Sequence, residues 1–356
     1  MSQKALIAMS GGVDSSVAAF LMKERGCDCT GITLKLYDNN DDEQREKTCC
    51  SLDDIEDARS VCRRLGIPHY VYNFKDSFGD TVIARFIRAY EEGRTPNPCI
   101  DCNRFIKFEK LLSRAEALGM DFVVTGHYAR VVYDEASGRY LLKKALDLSK
   151  DQSYVLYSLT QRQLSKTVLP LGEMTKEETR ALAERLGLIN ARKRDSQDIC
   201  FVPDGDYARF IEQYTGKTYP HGDFVDESGN VLGEHKGIIR YTVGQRKGLG
   251  LSLPHPMYVK EKDLAENKVI LCDNDALFSK ELLADDLNLI SVEELKTPVR
   301  VYARVRYNQK EQPATVYPVD SDTIRVVFDE PQRAISKGQA VVLYDGDTVL
   351  GGATII

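Results

Sequence analysis

An apolar run at residues 5–9 leads directly into Ser10-Gly11-Gly12-Val13-Asp14-Ser15-Ser16, and a helical pattern over 15–25 then closes at Gly26. A strand that turns on glycines into a helix is the opening unit of a parallel α/β sheet. Glycines adopt positive φ and let the main chain approach a ligand closely. The helix start offers unpaired N–H groups and the positive end of a dipole, a combination that binds phosphate. Ser10, Ser15 and Ser16 add hydroxyls. The loop has no G-K-[ST] lysine and is not G-x-G-x-x-G, so it is neither a Walker A loop nor a dinucleotide fingerprint. Asp14 is out of place in a phosphate cradle unless a divalent cation such as Mg2+ is held there as well.

The same rhythm continues. Strands are expected at 30–36, 69–73 and 122–125, with helices ending at Gly66 and running over 76–92, 104–118 and 175–187. That order predicts a doubly wound parallel sheet, whose ligand site lies at the carboxyl ends of its strands. Beyond residue 201 the texture changes to short apolar or alternating stretches at 256–262, 268–272, 299–306, 314–319, 323–328 and 340–344, separated by Gly, Pro, Asn and Asp. These read as antiparallel β structure. The expected organisation is an N-terminal doubly wound α/β domain (1–204), a small central mixed β domain (205–277) and a C-terminal antiparallel β-barrel (278–356). A chain of 356 residues accommodates that division. No secretory h-region and no run of 18 apolar residues occurs, so a cytoplasmic protein with no membrane contact is expected.

SGGVDS in this setting resembles the signature of the PP-loop ATP pyrophosphatases, which cleave ATP between the α- and β-phosphates and adenylate an oxygen. Two cysteine loops suggest sulfur transfer as the step after adenylation. Thr95-Pro96-Asn97-Pro98-Cys99-Ile100-Asp101-Cys102-Asn103 is stiffened by two prolines and places Cys102 close to a helix start, a setting that favours thiolate. Ser196-Gln197-Asp198-Ile199-Cys200-Phe201 comes directly after the basic triplet Arg192-Lys193-Arg194, which favours thiolate too. Adenylation turns a carbonyl oxygen into a leaving group, and a persulfide sulfur can replace it. The other cysteines read differently. Cys27, Cys29, Cys62 and Cys272 lie in apolar or helical contexts suited to burial, and Cys49-Cys50 reads as structural or incidental. His127, at a strand end, is open to a structural or a catalytic role.

Charge narrows the partners. With 48 Lys+Arg against 54 Asp+Glu the net charge is −6, which excludes a protein that coats nucleic acid by bulk charge but leaves room for a local basic face. Basic residues collect at 139–166, 192–194, 236–247 and 299–310, while nine carboxylates fall within 38–57. Four basic stretches around the cysteine loops point to a polyanion surface.

SGGVDSS, TPNPCIDCN, TGHY (125–128), LSKDQSYVLY (148–157), DSQDICF (195–201) and YTVGQRKGLG (241–250) occur in that order. Together they resemble the tRNA-specific 2-thiouridylase (MnmA) family over essentially the whole chain. The resemblance implies an ATP-dependent tRNA-uridine 2-sulfurtransferase that forms 2-thiouridine at the wobble position of tRNA for Lys, Glu and Gln, releasing AMP and pyrophosphate. It implies an ATP site made by Ala8, Met9, Ser10, Gly11, Gly12, Val13, Asp14 and Ser15, with Leu34 and Gly126. It makes Cys102 the nucleophile and Cys200 the persulfide carrier. Asn97, Pro98 and Cys99 would face the target base, and Lys150, Asp151, Gln152, Arg306 and Tyr307 would contact tRNA. Tyr307 suits a base taken out of its stack. An upstream persulfide sulfurtransferase or cysteine desulfurase would load Cys200, and the cycle would leave a Cys102–Cys200 disulfide to be reduced.

Some members of the family carry aspartate where Cys99 stands. Here Cys99, Cys102 and Cys200 make three thiols, a set also compatible with a [4Fe–4S] cluster that keeps one iron open to sulfide. The persulfide and cluster routes both stay open at this point. Amidation of a small molecule needs no thiol pair, and a non-catalytic tRNA-binding protein needs no intact loop. Segments 38–51 and 192–206 are expected to be mobile loops that order on binding tRNA.

Overall fold

The structure, a computed structural model, describes residues 2–37, 52–193 and 199–356. The expectations about Cys49-Cys50 and about a mobile 38–51 loop lie outside the described residues, as does part of 192–206.

β1 (Lys4–Ala8) is the centre of a parallel sheet. On one side it pairs with β2 (Asp28–Lys35), which pairs in turn with β3 (His69–Asn73); on the other it pairs with β4 (Phe122–Val124). Side chains alternate between the faces of β1, so Ala5, Ile7 and Met9 enter one apolar core and Leu6 the other. α1 (Val13–Glu24) covers the first face with Val13, Val17, Ala18 and Met22, against Val61 and Cys62 of α2 (Leu52–Leu65). Burial pushes the Cys62 thiol up to about 12 and the Cys29 thiol up to about 11, so both behave as core residues, as expected. Strand order reverses between β1 and β4, which places the ligand crevice of an open parallel sheet at the end of β1.

Between β4 and the helix Lys176–Arg185 the chain departs from the expected rhythm. β5 (Ala129–Asp134) and β6 (Arg139–Lys144) form an antiparallel hairpin, and β7 (Thr167–Val168) adds a fifth strand beside β4. The central region is a four-stranded mixed sheet of β8 (Gly222–Val225), β9 (Val231–His235), β10 (Tyr258–Asp263) and β11 (Lys268–Cys272). The C-terminal strands are β12 (Phe278–Leu289), β13 (Val299–Arg304), β14 (Gln312–Pro318), β15 (Ile324–Arg333), β16 (Ala340–Asp345) and β17 (Thr348–Ile355). Pairing of β12 with both β15 and β17 closes them into an antiparallel barrel. The hairpin β5–β6 is joined to β17 through Thr348 and Lys143, so the barrel sheet extends into the α/β region. Among the described residues no helix is long and apolar enough to cross a membrane.

Arg306 lies at the seam between the central sheet and the barrel. Its Nη2 is 3.2 Å from Val243 O, 2.8 Å from Ala334 O and 2.8 Å from Ser336 Oγ. Burial, with Arg333 beside it, lowers its pKa from the ordinary value. Arg306→Met should therefore leave buried acceptors without a donor and lower stability by about 2 kcal/mol. Urea unfolding measures this as a lower midpoint, while ATP affinity stays unchanged.

Candidate active site

β1 ends at Ala8, but Met9 N–H still donates to Ile32 O at 2.8 Å, so the loop leaves the sheet in a fixed direction. Gly11 has φ +73, and a Cβ there would lie 2.4 Å from Asp54 O. Only glycine lets the chain turn so close to α2. Gly12 is the N-cap of α1, extended at φ −87 and ψ 161, with no side chain capping the helix start. Ser15 Oγ donates to Gly12 O at 3.0 Å and accepts from Ser10 N at 3.2 Å. Asn190 braces the turn from behind, with Nδ2 2.9 Å from both Gly11 O and Ser16 Oγ. Gly126, after β4, packs so tightly on α1 that a Cβ would sit 2.7 Å from Asp14 C and Ser15 N. Opposite, Thr33 Oγ1 donates to Met9 O at 2.8 Å, and buried Leu34 is the next residue along β2.

Asp14 does not face this cradle alone. Lys176 Nζ is 2.7 and 2.9 Å from its two carboxylate oxygens, and Tyr128 OH donates to Oδ1 at 2.9 Å. Lys176 is buried, with 6% of its side chain exposed. The ion pair offsets a negative charge that would oppose phosphate at the helix start.

Cys99 and Cys102 open a long helix at 98–117. Asn97 caps it by accepting from Cys99 N at 3.1 Å, and Pro98 occupies the first position. Helix-dipole effects fall off within the first turn, which here holds the exposed Cys99. Cys102 opens the next turn and is 8% exposed. The turns from Cys102 to Lys110 are π-helical, a form often found at functional sites. Cys200 is half-buried and packs against the same apolar core that contains Cys102. Tyr37 OH donates to Cys200 O at 2.6 Å, and Phe201 is wedged between Phe78, Phe86 and Phe210 at ring distances of 5.7, 5.2 and 5.1 Å. Two members of the basic triplet are engaged with carboxylates. Arg192 pairs with Glu184, and Lys193 donates to Asp54 and Asp57 at 2.6 and 2.7 Å, beside Gly11; Arg194 lies outside the described residues. Among the described residues no group of three His, Cys, Asp or Glu is placed to hold a metal ion. Cys99, Cys102 and Cys200 thus do not present a ready cluster site.

The remaining motifs converge on these two centres. Gln152 N donates to Tyr128 O at 2.8 Å, and Tyr128 N donates to Gln152 Oε1 at 2.9 Å. Tyr307 OH donates to Asp151 O at 3.3 Å. Hydrogen bonds therefore link α1 through Tyr128 to Gln152, whose chain neighbour Asp151 meets Tyr307. Two expected tRNA contacts turn inward. The Asp151 carboxylate is buried and accepts from Ala145 N, Ser153 N and Ser153 Oγ. Arg306 is held at the seam between central sheet and barrel. Both shape the loops that carry Lys150, Gln152 and Tyr307.

Many basic residues are also paired internally. Lys143 meets Asp347 at 3.2 Å, Arg300 meets Asp329 at 2.8 Å, Arg240 meets Glu212 at 2.7 Å, and Lys144 bonds to Glu311. Lys236, Arg246, Lys247 and Lys310 are exposed and make no ion pair among the described residues. Among the described residues, exposed cations without an ion pair thus remain in 236–247, at Lys310 and at Lys166.

Comparison with known proteins agrees with this geometry. Residues 3–204 match the tRNA methyl transferase HUP domain, 208–273 the tRNA methyl transferase PRC-barrel domain and 279–355 the aminomethyltransferase beta-barrel domain. A relative in Clostridioides difficile (strain 630), named tRNA-specific 2-thiouridylase MnmA, is 52% identical over 355 residues, covering 100% of this chain and 98% of its own. Its namesake in Acetivibrio thermocellus is 53% identical over 355 residues, covering 99% of each chain. The chain belongs to the tRNA-specific 2-thiouridylase family. Within that family resemblance, sequence reading missed Lys176 and Asn190, which brace the loop from the far side of the domain.

His127 is buried just after β4. Its Nδ1 is 2.7 Å from Thr125 Oγ1, its ring faces Phe108, and burial holds its pKa well below the ordinary 6.5. The unfolded chain takes up a proton there that the folded chain refuses, so stability should fall as pH drops below about 6.5. Urea midpoints across that range should fall less steeply in His127→Gln. At the loop, Gly126→Ala forces Cβ into the start of α1. Overpacking there should cost about 1–3 kcal/mol of stability, read as a lower urea midpoint, and the displaced start of α1 should weaken ATP binding in a nucleotide titration.

Proposed function

We propose that this chain catalyses ATP-dependent 2-thiolation of the wobble uridine in tRNA for Lys, Glu and Gln, releasing AMP and pyrophosphate. The observation that carries the reading is one α/β domain that holds both the uncapped, glycine-turned start of α1 and two thiols, Cys102 and Cys200, at a single apolar core. The domain descriptions speak of methyl transfer, but a methyl transfer calls for neither an uncapped phosphate-binding helix nor paired thiols. The full-length relatives' name suits both features.

In this reading the triphosphate lies against Ser10, Gly11, Gly12, Val13, Asp14 and Ser15, with Ala8, Met9, Leu34 and Gly126 around the nucleoside. Mg2+ travels with the triphosphate as its counter-ion, and Asp14 stays with Lys176. The target uracil leaves its stack and enters beside Asn97, Pro98 and Cys99, against Tyr307. Lys150, Gln152 and the exposed 236–247 cations meet the RNA backbone. Uridine O2 attacks the α-phosphate, and pyrophosphate leaves. Cys200 arrives as a persulfide, loaded by an upstream sulfurtransferase or cysteine desulfurase. The Cys102 thiolate attacks the inner sulfur of that persulfide and expels hydrosulfide, leaving a Cys102–Cys200 disulfide. Hydrosulfide adds to C2, and AMP departs with the original oxygen. An external dithiol then reduces the disulfide. In this reading the sulfur path is thiol-based, with Cys102 and Cys200 packed at one apolar core.

Cys102→Ser and Cys200→Ser should each retain tRNA-dependent AMP formation and lose 2-thiouridine when the sulfur comes from a persulfide donor. Nucleoside analysis of the digested tRNA and AMP quantification read the two steps separately. Full thiolation by either variant, or activity that tracks bound iron, would overturn this route.

A further inference from the structure

β12 is irregular between Asp285 and Asn288, where its register with β17 slips. Asp286 sits in this bulge at φ 54, a left-handed conformation that aspartate tolerates better than most side chains but that remains unfavourable. Its N–H and that of Leu287 lie 3.3 and 3.2 Å from the Asp322 carboxylate oxygens, which hold the bulge in place. Bulges re-aim side chains, and this one aims Asp286 at Arg104. The two form a forked pair, with one arm at 3.0 Å. Arg104 stands two residues after Cys102, on the same π-helical stretch. Asn288, at the other end of the bulge, donates to Tyr157 O at 2.7 Å and Leu159 O at 3.0 Å. Upstream of the cysteines the barrel takes a second hold. Thr95 N donates to Lys337 O at 2.8 Å, and Gln339 Nε2 donates to Thr95 O at 2.8 Å. The segment bearing Cys99 and Cys102 is therefore gripped by the barrel at both ends.

We propose that Arg104 and Asp286 are positioning residues for Cys102, so that sulfur transfer depends on a barrel contact that adenylation does not need. The inference rests on Cys102 acting as the sulfur-transfer thiol. Its physical basis is the helix itself. A π-helical stretch lacks the regular i→i−4 ladder, so its own hydrogen bonds hold the thiol-bearing turn less firmly than an α-helix would. The forked pair supplies an external reference for that turn, and the unfavourable backbone at Asp286 is retained where it produces the aim.

Asp286→Asn removes the charge at constant shape, and Arg104→Lys keeps the charge but loses the fork. The full-length protein is given ATP, Mg2+, a persulfide donor and unmodified tRNA, and AMP and 2-thiouridine are counted. Alkylation of Cys102 by iodoacetamide, followed by peptide mass spectrometry, is measured without tRNA. Misplacement by an ångström costs up to about a hundredfold in rate. Both variants should thus lose tenfold or more in 2-thiouridine per AMP, with AMP formation and thermal midpoint nearly unchanged and the Cys102 alkylation rate altered. The exchanged pair, Arg104→Asp with Asp286→Arg, should recover yield above either single variant. Unchanged 2-thiouridine per AMP, or AMP and 2-thiouridine falling together with the thermal midpoint, would reduce the pair to an ordinary structural salt bridge. Thiolation that survives Cys102→Ser would instead remove the parent reading, whatever the pair does.

Discussion

Tyr128 is the joint on which the two halves of the site turn. It is almost fully buried, its hydroxyl donates to Asp14, and its main chain is tied to Gln152 in both directions. Lys176 lies 5.7 Å from the centre of its ring while pairing with Asp14. Removing one partner of such a buried pair leaves an uncompensated charge, so Asp14, Lys176 and Tyr128 stand or fall together. Because Asp14 belongs to the first turn of α1 and Gln152 is chain neighbour to Asp151, which meets Tyr307, the start of α1 and the Tyr307 loop share one mechanical reference.

That shared reference also decides which parts of the site were legible in the sequence. The phosphate loop was legible because its determinants are local: Gly11 and Gly12 in the turn, serines beside them, and a helix directly after. The parallel sheet was legible for the same reason, through short apolar strands closed by glycine. The partners of Asp14 and Gly11 were not, because Lys176 and Asn190 lie far along the chain and reach the loop only through the tertiary fold. Asp151 and Arg306 carry bonds that no local pattern announces: the side chain of each is held by main-chain groups. The hairpin β5–β6 was not read from the sequence at all; its strands pair with each other and join the barrel only in the tertiary fold.

Charge obeys the same logic. Density of lysine and arginine along the chain overstates the basic surface, since Lys143, Lys144, Arg240 and Arg300 have carboxylate partners from distant segments. What stays outward in 236–247 lies in the connection between β9 and β10, away from the acidic 38–57 stretch in sequence. Attraction for a polyanion from so few charges should weaken only shallowly with salt and depend on shape for the rest.

The barrel is more than an appended module. It receives β5–β6 from the α/β region at Thr348, and Arg130 and Lys143 of that hairpin both reach Asp347. Buried Lys144 donates to Gly346 O at 2.9 Å and pairs with Glu311. The barrel returns the contact at Thr95, Tyr157 and Arg104, around the thiol-bearing helix. Cutting the chain where its composition changes would strand a lysine and two strand edges on one side, and unpair an aspartate and several main-chain groups on the other. The sequence boundary and the mechanical boundary therefore differ. The thiol helix belongs to the α/β region by chain order, but its placement is decided jointly with the barrel.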